Sequence, residues 1–156
     1  MASLSDDRLR ELAQAVRDAL ERADKRRWLE TLRLFPCGAC GDSELLVAKL
    51  LQDHGHQPAF DYMLGRRDGW SHAWIQQGDL IVDITADQFD DCAEPVTVVR
   101  GSAWHEGFSP ERRHVADLDL INPPWIKQGL RSAYSQVVDS LPPDLRPPHQ
   151  TMSADL

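Results

Sequence analysis

Apolar residues recur with a helical period near the start of the chain. Leu12, Val16 and Leu20 lie three, seven and eleven positions after Leu9, with Arg, Glu and Asp between them. The spacing predicts an amphipathic helix over about residues 5–25. Ser5 is placed to cap it, and Asp6 and Asp7 complement the positive end of its dipole. The run Asp24-Lys25-Arg26-Arg27 ends the pattern as a solvated face. Residues 29–35 fit either helix or extended chain, and Pro36 and Gly38 break them.

A second helix is predicted over about residues 40–52. Leu45, Leu46, Ala48, Leu50 and Leu51 cover much of its cylinder, as in a helix buried on most sides. Gly55 is a natural stop. Extended runs follow at 59–64, 71–76, 80–84 and 96–99, with a turn expected at 65–69. Within the second run, alternation puts His72 and Trp74 on one face and Ala73 and Ile75 on the other. Gln77-Gly78-Asp79 reads as a tight turn that makes the second and third runs an antiparallel hairpin. Residues 101–126 show no period, 126–141 read as a helix, and a Pro-rich tail from Pro142 is expected to be loose. Helices followed by antiparallel strands define an α+β domain over 1–141.

Composition narrows the function. A length of 156 residues supports one core without covalent staples. A net charge of −8 repels a phosphate backbone, which disfavours nucleic acid as a partner. No apolar run approaches the ~20 residues that span a bilayer, so no membrane partner is expected. The stretch MASLSDDRLRELAQ lacks the apolar core of a secretory leader. Three cysteines are too few, and odd in number, for a disulfide framework. The expectation is a cytoplasmic protein, with export as an effector by a leaderless route left open.

The stretch FPCGACGDSELL, residues 35–46, carries Cys37 and Cys40 into the second helix. Cys40 falls at the helix start, where free backbone N–H groups and the dipole favour a thiolate. Gly38 and Gly41 on either side leave room for a substrate backbone. A thiolate nucleophile needs a base and a group to orient that base. His72 lies in SHAW and Asp83 in VDIT, eleven residues later. A turn centred on Gln77-Gly78 would set the two side by side on one face of the hairpin. An Asp within the apolar run IVDIT is costly without a hydrogen-bonding or cationic partner, which independently marks Asp83.

These residues resemble the transglutaminase-like superfamily, on the papain-like cysteine-enzyme fold. The matching motifs are Gly38-Ala39-Cys40 at a helix start, Leu51 to Gly55 at its end, His72-Ala73-Trp74 on a strand and Asp83-Ile84-Thr85 on the next. They cover residues 35–90 or so; the flanks carry no matching motif. The resemblance implies a Cys40–His72–Asp83 triad and acyl transfer from a peptide or carboxamide through a thioester, with no metal or cofactor. It implies a peptide or protein substrate, and a protease, amidase or glutamine deamidase activity. Calcium-dependent crosslinking does not carry over to so short a chain. The Gln that papain-type enzymes place upstream of the cysteine is missing between Gln14 and Cys40, so the second oxyanion donor is unassigned.

Other readings of the same residues stand beside this one. Cys37 and Cys40 have redox-pair spacing, but a charged helix precedes them where a strand–helix–strand unit belongs. Cys37, Cys40, His54 and His56 are a zinc candidate whose two halves lie at opposite ends of one helix. A third alternative is a non-catalytic transglutaminase-like binding or assembly module. Asp87 and Gln88 read as loop caps, with lining the cleft as the alternative. Trp70, Trp104, His105 and Trp125 read as core aromatics, with a substrate groove as the alternative. Cys92 has no assigned role.

Overall fold

The computed structural model describes residues 3–148. Its architecture is α+β: a five-stranded, wholly antiparallel sheet with the long helices on one side and one short helix on the other. The helices are α1 (Asp6–Arg22), α2 (Glu30–Arg33), α3 (Cys40–Asp53), α4 (Ala103–Glu106) and α5 (Pro124–Ser140). The strands are β1 (Asp61–Arg67), β2 (Trp70–Gln77), β3 (Leu80–Asp83), β4 (Thr97–Arg100) and β5 (Glu111–Val115), in the order β4-β3-β2-β1-β5.

Local chemistry sets the helix boundaries. Ser5 caps α1 by accepting the amide of Arg8 at 3.1 Å. At the other end of α3, Gly55 takes a φ of +85°. The His56 amide then bonds Leu51 O at 3.0 Å and the Gly55 amide bonds Gln52 O at 2.9 Å. This paired closure is a Schellman stop, and it needs a residue at ease in the left-handed region.

Alternation along the strands divides the core in two. Ile75, Val82 and Val98 join the large core with Leu9, Leu12, Val16 and Leu20 of α1 and Leu46, Val47, Leu50 and Leu51 of α3. Trp74 and Ile81 point the other way and pack with Phe108 in a small aromatic cluster that Met63, Phe89 and Trp104 extend. By the same alternation, His72 and Asp83 lie on the aromatic side.

Several elements differ from the sequence expectation. The turn placed at 65–69 contracts to Asp68-Gly69, both at positive φ, so β1 runs on to Arg67. The hairpin turn centres on Gly78-Asp79, because Gln77 pairs with Leu80 and Ile75 with Val82. The stretch 101–126 is not all irregular. It contains α4 and the edge strand β5, whose sequence ERRHV is solvent-exposed for four of its five residues and so shows no apolar alternation. Nor is the chain loose directly after Leu141. Leu145 is buried, and its carbonyl lies 2.9 Å from Nε2 of His54. The end of the predicted tail, 149–156, lies outside the described residues. Among the described residues, no helix is long and apolar enough to cross a membrane.

Candidate active site

The site forms where β3 ends against α3. Glu44, one helical turn after Cys40, accepts the amide of Ile84 through Oε1 at 2.6 Å and so fixes α3 to the residue after β3. Arg17 of α1 secures the same loop. Its guanidinium holds Ile84 O at 2.8 Å and grips both carboxylate oxygens of Asp87 at 2.8 and 2.9 Å. Asp87 is therefore an ion-pair partner of α1, not a loop cap.

Asp83 is completely buried and every visible partner donates to it. Nε2 of His72 lies 2.7 Å from Oδ2, and the Thr85 amide lies 2.9 Å from Oδ1. A third donor was not legible as such in the sequence: Nε2 of His105, also 2.7 Å from Oδ2. Burial pushes the Asp83 carboxyl up, but the hydrogen bonds from His105 and His72 outweigh it and hold the group well below the usual carboxylate range. Asp83 is thus an anion, which accepts and cannot donate.

That fixes His72. Its Nε2 carries the hydrogen given to Asp83, which turns Nδ1 away from Asp83 toward the amide of Gln88, whose Nε2 is 3.4 Å away. Burial lowers the basicity of the ring, while Asp83 and the neighbouring Cys40 sulfur raise it; the balance lifts its pKa to about 9. Trp74, Phe89, Trp104 and Phe108 surround the ring with centroids 5.1–5.6 Å away. Gly65, paired with His72 across β1 and β2, makes room for this packing. A Cβ at residue 65 would meet Phe108 O at 2.6 Å.

Cys40 is the first residue of α3, and no side chain caps the helix there. Its thiol is partly exposed at a cleft of about 630 Å³ lined also by Cys37, Gly38, Trp70, Gln88 and Phe89. Gly38 is open, as expected, and takes a φ of +69°. Gly41 is not: the Tyr62 hydroxyl fills the space where its side chain would be. Gln88 borders the cleft and accepts the Gly38 amide through Oε1 at 3.2 Å, so it organises the loop before Cys40.

The Glu44 carboxyl has a different state from Asp83. Burial, then the charges of Asp83 and Cys40, push it well above the usual carboxylate range, against the Ile84 hydrogen bond. Its Oε2 is buried without a hydrogen-bond partner. The physical reading is a neutral acid beneath the cysteine.

The structure brings Cys40, His72 and Asp83 to one place; it separates the zinc candidates. Nδ1 of His56 accepts the Leu4 amide at 3.1 Å and its Nε2 meets Gln77, while His54 faces Leu145 O. Cys37 and Cys40 are both free thiols beside the cleft, and the sheet order lacks the parallel pairs of a doubly wound redox fold. Of the four scattered aromatics, His105 is buried, Trp104 packs against it, and Trp70 and Trp125 are each 70 % exposed. Trp70 alone of the four lines the cleft.

His72, Asp83 and His105 also form the one group among the described residues with the composition of a metal site. Their geometry fits hydrogen bonding better. Both N···O separations are 2.7 Å, whereas donors around an ion at about 2.0–2.2 Å stand about 3 Å or more apart. The Nε2 atoms that would ligate carry the hydrogens that Asp83 accepts.

Compared with family models, with curated proteins and with solved structures, the chain matches none of them.

Proposed function

We propose that the chain is a cysteine-dependent acyl-transfer enzyme of papain-like, transglutaminase-like architecture, acting on a peptide or carboxamide by hydrolysis or deamidation. The observation that carries this reading is the placement of buried His72, hydrogen-bonded to buried Asp83 and neighbouring Cys40, whose thiol borders the cleft.

The chemistry follows from those positions. The raised basicity of His72 keeps the Cys40 proton on Nδ1 as an imidazolium at neutral pH, and the sulfur, relieved of that proton, attacks the substrate carbonyl carbon. The carbonyl π pair moves to oxygen, where free first-turn N–H groups of α3 are available to stabilise it. Collapse breaks the C–N bond, and the imidazolium protonates the departing ammonia or amine. Water then attacks the thioester with His72 as base, the acid leaves, and the thiol is restored. Asp83 stays ionised throughout and holds the ring in the Nε2–H form. Three unpaired cysteines suit a reducing compartment such as the cytoplasm, where Cys40 remains a thiol.

Iodoacetamide labelling tests the reading. At pH 6 Cys40 is expected to alkylate at least about tenfold faster than a free peptide thiol, and His72→Ala is expected to remove the excess. Equal rates for Cys40 and the peptide, or an unchanged rate in His72→Ala, would rule the nucleophile out and leave the binding-module alternative.

A further inference from the structure

His105 has no counterpart in the triad, yet it is 2 % exposed and meets the same carboxylate oxygen as His72. Asp83 is an anion, so the Nε2 atoms of both rings carry hydrogen. Ser102 accepts the His105 amide at 3.2 Å and stands 2.7 Å from Nδ1 of the ring. One of its lone pairs is engaged by the amide, and its hydroxyl hydrogen is available to Nδ1. That contact is compatible with the Nε2–H form of His105, which the Asp83 anion selects. The result is a hydrogen-bonded line of Ser102, His105, Asp83 and His72, ending at Cys40.

We propose that His105 is a positioning residue for the Cys40–His72 pair: its N–H shares Asp83 Oδ2 with His72, fixes the carboxylate, and limits how strongly that carboxylate holds the His72 proton. This rests on the reading of Cys40 as nucleophile. The physical reason is competition. A carboxylate oxygen with a single imidazole donor gives that donor its whole field; a second N–H donor withdraws part of it. An imidazolium gripped too hard protonates a leaving amine slowly, so a second donor moderates His72 as a general acid. Thr85 takes Oδ1, which leaves Oδ2 for the two rings.

The other charged or titratable groups facing His72 do not duplicate this contact. From α3, Cys40 approaches the His72 ring, while the buried Glu44 carboxyl lies beside Asp83 and Cys40. Arg67 of β1 lies over Phe108 at 4.3 Å from the ring centroid, behind the aromatic packing, and is paired with Asp91. Asp90 borders the cleft. His72 and His105 are the two imidazoles that meet Asp83 Oδ2, each at 2.7 Å.

The test uses the full chain and two readouts. The first is the ¹H–¹⁵N imidazole spectrum of the unmodified protein. Two downfield, slowly exchanging Nε2–H signals are expected, one of which disappears in His105→Gln. A single such signal in the unmodified protein overturns the proposal, whether or not any variant folds. The second is the pH profile of Cys40 alkylation. In His105→Leu the alkaline inflection set by His72 is expected to move upward by about half a pH unit or more. His105→Gln, whose amide can reach Oδ2, is expected to restore the original inflection. A folded His105→Leu with an unmoved inflection overturns the proposal, because a residue that only packs would lower the melting temperature without moving it. Failure of the nucleophile reading looks different: alkylation of the unmodified protein would be slow and independent of His72, with both imidazole signals still present.

Discussion

Asp83 reaches His72 on the diagonal. The pairs Ile75–Val82 and Gln77–Leu80 place Asp83 beside Trp74, two residues from the position directly opposite His72. The Nε2–Oδ2 separation is nevertheless 2.7 Å. Side chains alternate with a period of two, so a register shift of two residues leaves both groups on the same face. A shift of one would have sent Asp83 into the core against α3. The diagonal offset also leaves room at Oδ2 for His105, which approaches from α4.

The protonation of His72 makes stability depend on pH in a specific window. Its folded pKa of about 9 exceeds the ordinary 6.5, so the imidazolium stabilises the fold. That contribution is fully present below about pH 6.5 and is lost as the pH rises through about 9. The full shift corresponds to an order of magnitude of about 3 kcal/mol. In denaturant titrations, His72→Gln, which keeps a donor for Asp83 but never ionises, is expected to fall furthest below the unmodified protein near pH 6. The gap should close by about pH 9.5. A gap that stays constant across this range would contradict the assignment of the charge to His72.

Gly65 is expected to tolerate no side chain. An added Cβ would lie 2.6 Å from Phe108 O and 2.7 Å from Phe108 Cβ, and Phe108 O already accepts the Arg66 amide at 2.6 Å. Backbone cannot rotate aside as a flexible side chain can, so the segment after α4 must move. Gly65→Ala should cost about 1–3 kcal/mol, a fall in melting temperature of about 2–4 °C for each kcal/mol. It should also broaden or shift the imidazole signals, since His105 and Phe108 belong to one short segment. A melting temperature unchanged within a degree or so, with unaltered imidazole signals, would show that the approach is looser than described.

Glu44 carries the opposite sign from a paired carboxylate. Its folded pKa is raised above the ordinary 4.5, so the folded state keeps a proton that the unfolded chain releases. The fold is favoured below about pH 4.5 and progressively penalised as the pH rises from there through the folded pKa. Glu44→Gln keeps an acceptor for the Ile84 amide and cannot ionise. Calorimetry is expected to show it more stable than the unmodified protein at pH 7.5, with the advantage shrinking toward pH 4. A variant less stable at every pH would mean that the carboxyl is ionised in place.

Much of this arrangement is legible along the chain because it follows local periods. The α1 face of Leu9, Leu12, Val16 and Leu20 is buried as its spacing requires. The Ser5 cap and the Gly55 stop lie where side-chain chemistry and a positive φ demand them. The burial of Asp83 within IVDIT announces a partner, since an unpaired carboxylate there would be prohibitively costly. His105 announces nothing. It lies in a four-residue helix too short to show a period, before a strand whose exposed face gives no alternation. Neighbouring Trp104 makes it look like one more aromatic of a hydrophobic patch.

Sequence alone determined the three long helices α1, α3 and α5, the hairpin and the parity that puts His72 and Asp83 on one face, because each is written in the spacing of nearby residues. Tertiary structure decided the exact register, the filling of the Gly41 space by Tyr62, the clamp of Arg17 on Asp87 and the arrival of His105 at Asp83. Each of those depends on two segments far apart in the chain coming within van der Waals or hydrogen-bond reach. Burial then fixes their charge states, and only the folded packing supplies that burial.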